Sequence, residues 1–582
     1  MVILLSSFYR SSTSKRPPLR IGLLLDSPIN SKVFEVVLED ISACNFANLE
    51  LVVLKSPPPQ EHAKPQTKSL LRRIFDILRS TQIRKLIAYE LYQRFDRRFY
   101  SLPDDPLASV DCSRFLEGVE TIHVEPVTQG FTHRFPPEAI DAIRIKQLDV
   151  ILRFGFNILR GDILTCAKYG IWSYHHGDND YYRGGPPYFW EVYENNSISG
   201  VILQVLTEEL DAGQVLCKSL FATAYGISVL RNRYAPYWGS TYFVIQKLYE
   251  LHQYGWEQVQ SRVVKSQPYA GKRAIYRRPT NWEVCRWFIP ALIKKALRRV
   301  GREETVSHWR IALRVGKRRV FGLDGNADMD GFVWWESPQG HFYADPFLTE
   351  QDGKTWLFFE DFRYAENRAV ICCSEVKANG SIGEPEVCLD RNYHLSYPSV
   401  FRYEGETYMV PETQGNRTIE LFRATGFPLQ WELDRTLLQD IDAVDVTFWA
   451  ENGLCWWFVT AIETRGESGA LLLFYSHGIA GKWVYHPSNP ISTDIRNLRS
   501  AGMPFRHDGT LIRLSQDCSR CYGYSFSFSE ILTLTTDKYE ERTLTTVDPS
   551  WSLNLTGTHT YNRCGDIEVV DGSIDLPCRR KQ

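Results

Sequence analysis

A repeat in the second half of the chain limits its fold more than any other feature. Pro346, Gly353 and Glu360 recur at the same mutual spacing as Pro398, Gly405 and Glu412. Val446, Gly453 and Thr460 keep that spacing, and Pro504, Gly509 and Gln516 keep it with two residues deleted. Each unit reads as an apolar strand, a glycine turn, an aromatic strand, then a loop and a third strand. Helical periodicity disappears after about residue 305. A period of roughly 50 residues with about four strands per unit is the pattern of a β-propeller blade. Four units, plus residues 557–572 completed by a strand near 309–314, predict five blades. Closing the ring with the first strand removes an exposed sheet edge.

The first half reads differently. Residues 20–26 (RIGLLLD) form a continuous apolar run of the kind found in a buried parallel strand. A helical pattern at 31–41 and a second strand at 49–54 follow, which is the start of a doubly wound α/β domain. The G-x-G-x-x-G fingerprint does not follow the first strand, which argues against a dinucleotide there. Residues 57–65 are a proline-rich break. Strand and helix alternate again from 121, with a helix at 137–147, a strand at 148–154 and a helical stretch at 239–254. Residues 68–100 and 282–300 are basic and amphipathic. They suit either a packed helix with a solvated face or an anionic membrane surface. The expected layout is an α/β domain over 20–280, a basic helical linker over 281–305 and an all-β propeller over 306–582. Limited proteolysis is expected to cut near 301–305 and leave two stable fragments. Loss of both fragments would mean a shared core.

The chemistry-bearing stretch is 171–216. A strand ends at Tyr174 and projects His175 from its carboxyl end, the edge where open α/β sheets bind ligands. His176 alternates to the other side. Arg183-Gly184 precedes two prolines that open a helix. Leu210-Asp211-Ala212-Gly213 is a turn that places Asp211 at a strand end. A histidine and an aspartate from neighbouring strand ends can form a base and its orienter.

This segment resembles the folate-dependent formyltransferase family. His175, Arg183-Gly184, Ser199-Gly200-Val201 and Leu210-Asp211-Ala212-Gly213 stand at that family's motif positions, in order and spacing. Residues 148–165, with Phe154 and Gly155, resemble the family's strand and loop beside the folate. The resemblance implies a Rossmann-like fold, 10-formyltetrahydrofolate as formyl donor and a primary amine as acceptor. His175 then carries the amine proton, and Asp211 fixes its tautomer. Arg183, Gly184, His176 and Asn179 become substrate- or donor-binding residues. The family's catalytic Asn is replaced by Ser173, and its Leu-Leu-Pro loop by Asp178-Asn179-Asp180. The oxyanion donor is therefore Ser173, His176, Asn179 or a bound water. The alternative reading is a catalytically degenerate fold beside a carbohydrate-binding propeller.

The repeats resemble the five-bladed propeller of the arabinanase and invertase superfamily and, more closely, the N-terminal domain of glucosamine inositolphosphorylceramide transferases. Tyr343-Ala-Asp-Pro-Phe347, Tyr397-Pro-Ser-Val400 and Gly557-Thr-His-Thr-Tyr-Asn562 carry the resemblance. Asp345 stands at the superfamily's first-blade base position, while Ser399 replaces its second-blade carboxylate. Glu360, Glu412 and Asp445 are further acids near strand ends. A glycan-binding propeller that does not hydrolyse is expected, and the acceptor amine is expected on an amino sugar of a glycan or glycolipid precursor.

Composition narrows the partners. The net charge is −2 and the pI about 6.7, so nothing global points to nucleic acid. A methionyl-tRNA acceptor is disfavoured because no basic barrel follows the catalytic domain. Thirteen cysteines in 582 residues are too sparse for a disulfide scaffold, and Cys518 with Cys521 is a lone C-x-x-C. No metal is expected. Without a signal-peptide core or a spanning apolar run, the expected location is the cytoplasm.

Overall fold

The computed structural model describes residues 5–56, 86–301, 305–321, 327–463 and 468–577, apart from positions 103, 225, 266 and 318. The proline-rich break and the first part of the basic segment at 68–100 lie outside these residues. Two compact units emerge, one spanning Leu5–Gly301 and the other Arg302–Thr464 with Gly469–Gln582.

The first unit is built on one seven-stranded sheet. Its strands are β1 (Leu19–Leu25), β2 (Ala47–Lys55), β3 (Glu120–Val124), β4 (Val150–Arg153), β5 (Ile171–His175), β6 (Ile198–Val205) and β7 (Gln214–Ala222). The spatial order is β7-β6-β5-β4-β1-β2-β3. The five strands from β5 to β3 run parallel, and β6 and β7 form an antiparallel hairpin on the β5 edge. In β1, Ile21, Leu23, Leu24 and Leu25 are fully buried, because helices cover both faces of a parallel sheet. Helix α1 (Lys32–Ala43) joins β1 to β2. Gly155 makes the functional edge compact. A Cβ there would stand 2.2 Å from the backbone nitrogen of Asp26, so only glycine lets the loop after β4 pass the end of β1.

The basic segment expected to be a helical linker, 281–305, contains a helix that packs on the first unit. That helix, Asn281–Gly301, buries Val284 in a cluster with Tyr89, Tyr92, Phe189 and Trp190. Its Trp287 and Phe288 rings each lie 5.2 Å from the ring of Tyr92. Tyr92 belongs to the helix Ile87–Phe99, the described part of the other basic segment. Among the described residues, no helix is long and apolar enough to cross a membrane.

Among the described residues, the second unit is all β with five antiparallel sheets. The first joins Thr305–Val315 to Ile567–Pro577, so the two ends of the unit pair with each other. The second to fifth sheets follow in chain order, beginning at His341, Ser396, Ala443 and Arg499. The recurring glycines occupy equivalent hairpin turns. Asp352-Gly353, Glu404-Gly405, Asn452-Gly453 and Asp508-Gly509 all have positive φ at both residues, the backbone of the tightest hairpins. Seven residues earlier in the first three of these hairpins the inner strand breaks register, at Asp345, Tyr397 and Asp445, each again at positive φ. Such a bulge re-aims a side chain out of the strand's regular alternation. Tyr397 uses this to tie four sheets together. Its N–H donates to Asp345 (3.1 Å), and its hydroxyl bonds Thr447 (2.9 Å) and accepts from the N–H of Gly502 (2.8 Å).

Candidate functional site

In the first unit the sequence motif assembles at the carboxyl ends of β4 and β5. His175 Nδ1 is 3.3 Å from a carboxylate oxygen of Asp211, and Nε2 is 2.8 Å from the Tyr182 carbonyl. Asp211 sits in the β6–β7 turn at φ 52°, and its other oxygen accepts from the N–H of Gly184 at 2.9 Å. Both imidazole nitrogens thus face acceptors. Burial works against the charged ring, yet Asp211 and the Tyr182 carbonyl outweigh it and raise the His175 pKa. Burial likewise opposes ionisation of Asp211, but His175, the Gly184 N–H and the Arg153 charge hold its pKa below the usual carboxylate value. Each partner thus favours the charged form of the other.

The other predicted residues have clear places. His176 lies among tyrosines, 3.3 Å from the Tyr188 hydroxyl and 4.0 Å ring-to-ring from Tyr237. Burial, aided by His175, pushes it down to about 3, so it is neutral. Arg183 donates to the Asn179 carbonyl at 3.1 Å and lies 4.6 Å over the Tyr269 ring. Gly184 has φ 94°, and a Cβ there would meet the Tyr276 carbonyl oxygen at 2.3 Å. Asp178 and Asp180 both pair with Lys218 at 2.6 Å, which pins the replaced loop to β7. Asn179 is buried, and its side-chain oxygen has no partner.

Ser173 is buried beside an arginine that sequence reasoning passed over. Its hydroxyl accepts from Arg153 Nη1 at 2.8 Å and donates to the Tyr174 carbonyl at 3.2 Å. A cavity of about 370 Å³ opens here, with Asp26, Arg153, Phe154, Phe156, Ser173 and His176 in its wall. Gly155 lines it too, whereas His175 and Asp211 do not. Glu191 was also missed. It is 1 % exposed with one oxygen unpartnered, and burial pushes its pKa up to about 8. An arginine ending an apolar strand was the available signal for Arg153; Glu191 gave none.

In the second unit Asp345, Glu412 and Asp445 do converge, joined by Glu360, Asp571, His559 and Arg499. Asp345 accepts from Thr560 Oγ1 at 2.8 Å, and Asp445 meets Arg499 Nε at 2.6 Å. His559 Nδ1 lies 2.7 Å from Asp571, and its Nε2 lies 3.7 Å from Asp345. Burial, then repulsion from neighbouring carboxylates, lifts Glu412 to about 8 and Glu360 well above its usual value. Burial also lifts Asp345, to about 6. Asp345, His559 and Asp571 are near enough to share a metal ion. Both nitrogens of His559 face carboxylates, however, and those carboxylates raise its pKa against burial. Ser399 is buried and turned toward Met503 Sδ at 3.3 Å, so it takes no part in the cluster.

Comparison with known proteins places different relatives on the two units. Residues 335–560 match the family model described as glucosamine inositolphosphorylceramide transferase 1, N-terminal. Over 206 residues the chain is 36% identical to glucosamine inositolphosphorylceramide transferase 1 of Oryza sativa subsp. japonica, covering 34% of this chain and 28% of that protein. The chain thus spans little more than a quarter of that relative's length. Over 77 residues it is 36% identical to the methionyl-tRNA formyltransferase of Prochlorococcus marinus, covering 12% of this chain and 22% of that one. Among solved structures, glycinamide ribonucleotide transformylase 1 from Symbiobacterium toebii covers 46% of this chain over its full length, with 12% identity and a TM-score of 0.27. The curated sequence relatives of both units are transferases.

Proposed function

We propose that the first unit transfers a formyl group from 10-formyltetrahydrofolate to the primary amine of an amino sugar in a glycan or glycolipid precursor. The observation that carries this reading is the His175–Asp211 pair at the carboxyl edge of β5, on the formyltransferase motif. The cavity beside it suits a flat polar ring, with Phe154 and Phe156 as apolar walls and Asp26 as a polar partner. The folate supplies a carbonyl carbon activated for attack by an amine. His175, oriented by Asp211, gives a proton to the departing nitrogen and recovers one from the attacking amine. This requires the turn at 178–183 to shift, so that the Tyr182 carbonyl releases Nε2. Calorimetric titration with 10-formyltetrahydrofolate tests the reading. Saturable binding weakened by Phe154→Ala is expected, and no binding would favour the degenerate fold.

The five sheets of the second unit are read as the blades of a propeller that holds the amino-sugar acceptor. Its carboxyl groups and Arg499 offer hydrogen-bond partners for the hydroxyl and amino groups of a sugar. The isolated cluster lacks a carboxylate at Ser399, so binding without hydrolysis is expected. Reducing sugar released from arabinan, fructan or a glucosamine-containing glycan, and lost in Asp345→Asn, would contradict this.

A further inference from the structure

We propose that Arg153 donates the hydrogen bonds that stabilise the developing oxyanion during formyl transfer. The proposal rests on the formyl-transfer reading above and assigns the one role which that reading leaves empty.

The residues at the cavity can be tested for that role in turn. Ser173 has a single proton, and it goes to the Tyr174 carbonyl. His176 is neutral and faces Tyr188. Asn179 is not in the cavity wall. Arg153 is in the wall, and its donors can be counted. A guanidinium has five N–H groups. Nη1 gives one to Ser173 Oγ at 2.8 Å, and Nη2 gives one to the Phe156 carbonyl at 3.1 Å. Nε is buried without a partner. A buried donor left unpaired destabilises the fold, a cost that is recovered when an anionic acceptor arrives. The Arg153 charge also acts on Asp211, the partner of His175.

The Ser173 replacement follows from the same geometry. β4 and β5 run parallel with Arg153 directly across from Ser173. A short hydroxyl there leaves room for the guanidinium and anchors it, where a longer amide would compete for the same space. In this chain the donor beside Ser173 is thus a charged guanidinium. Hydrogen bonds from a charged donor are roughly twice as strong as neutral ones.

The reaction balances around this residue. The amine lone pair forms the new C–N bond, and the carbonyl π pair moves onto oxygen, where the N–H groups of Arg153 meet the charge. When that pair returns, the old C–N bond breaks and its electrons stay on the donor nitrogen. His175 passes that nitrogen a proton and takes one from the new amide nitrogen, giving a formamide and a free secondary amine.

Three variants of the full chain test the assignment: Arg153→Ala, Arg153→Lys, and Arg153→Val combined with Ser173→Asn. Formamide production from 10-formyltetrahydrofolate and an amino sugar would be followed, with donor binding measured by calorimetry. Arg153→Ala is expected to lower kcat by roughly 10²–10³-fold, with donor affinity changed far less. Arg153→Lys keeps the charge and loses the fork, so it should fall between alanine and wild type even if the alanine variant folds poorly. The double variant restores an amide and should recover part of the loss. Wild-type turnover in Arg153→Lys and Arg153→Ala would overturn this role while leaving formyl transfer intact. A wild-type chain that binds the donor but formylates no amine would overturn both.

Discussion

His175→Ala is expected to lower formyl transfer by roughly 10²–10⁴-fold without unfolding the chain. The side chain carries two polar contacts, to Asp211 and to the Tyr182 carbonyl, and no part of the apolar core. Its removal leaves Asp211 bonded to Gly184 and near Arg153, so the carboxylate does not become an isolated buried charge. Asp211→Asn should cost a similar amount by a different route. The amide can still accept from Gly184, but it offers N–H to His175 and so favours the wrong tautomer. The pH dependence has a definite sign. The raised pKa of His175 gives stability that is present below about 6.5 and lost as pH rises through its folded value. The lowered pKa of Asp211 gives stability that is present above about 3.9 and lost as pH falls. The pair therefore stabilises most between these limits. Turnover near wild type in either variant, measured with an accepted amine, would remove the pair from the chemistry.

Glu412→Gln is expected to raise the melting temperature of the second unit at pH 8 and to leave it unchanged below about pH 4.5. The carboxyl of Glu412 keeps its proton in the folded chain up to about pH 8, because it is buried among Asp445, Asp345 and Glu360. The unfolded chain releases that proton near pH 4.5. Between these values the folded state binds more protons than the unfolded one, so stability falls as pH rises. The amide has nothing to lose over that range. The gap between variant and wild type should open through this window and then level off. Thermal melts at intervals from pH 4 to 9 would show it. A gap that is constant with pH, or a less stable variant at pH 8, would mean that the Glu412 charge is already neutralised within the fold.

Sequence reasoning reached local features more readily than convergent ones. The apolar run before Asp26 marked β1, the central strand of the parallel sheet, and the spaced glycines marked four equivalent hairpins. Both are properties of short stretches, set by burial on two faces or by a turn that requires positive φ. The pairing of Arg153 with Ser173 was out of reach, because it depends on β4 lying beside β5 in a particular register. Glu360, Asp571, His559 and Arg499 join Asp345, Glu412 and Asp445 only because bulges and distant sheets bring them together. The basic amphipathic pattern of the helix Asn281–Gly301 shows that one face is apolar without showing what covers it. The first unit's aromatic cluster covers part of that face, at Val284, Trp287 and Phe288.

The most direct test is to incubate the full chain with 10-formyltetrahydrofolate and a panel of amino sugars and to measure formylated product by mass spectrometry. The account predicts a formamide on the sugar amine and stoichiometric tetrahydrofolate, both abolished in His175→Ala. Donor binding with no formamide on any amine would contradict it and leave the first unit a binding fold.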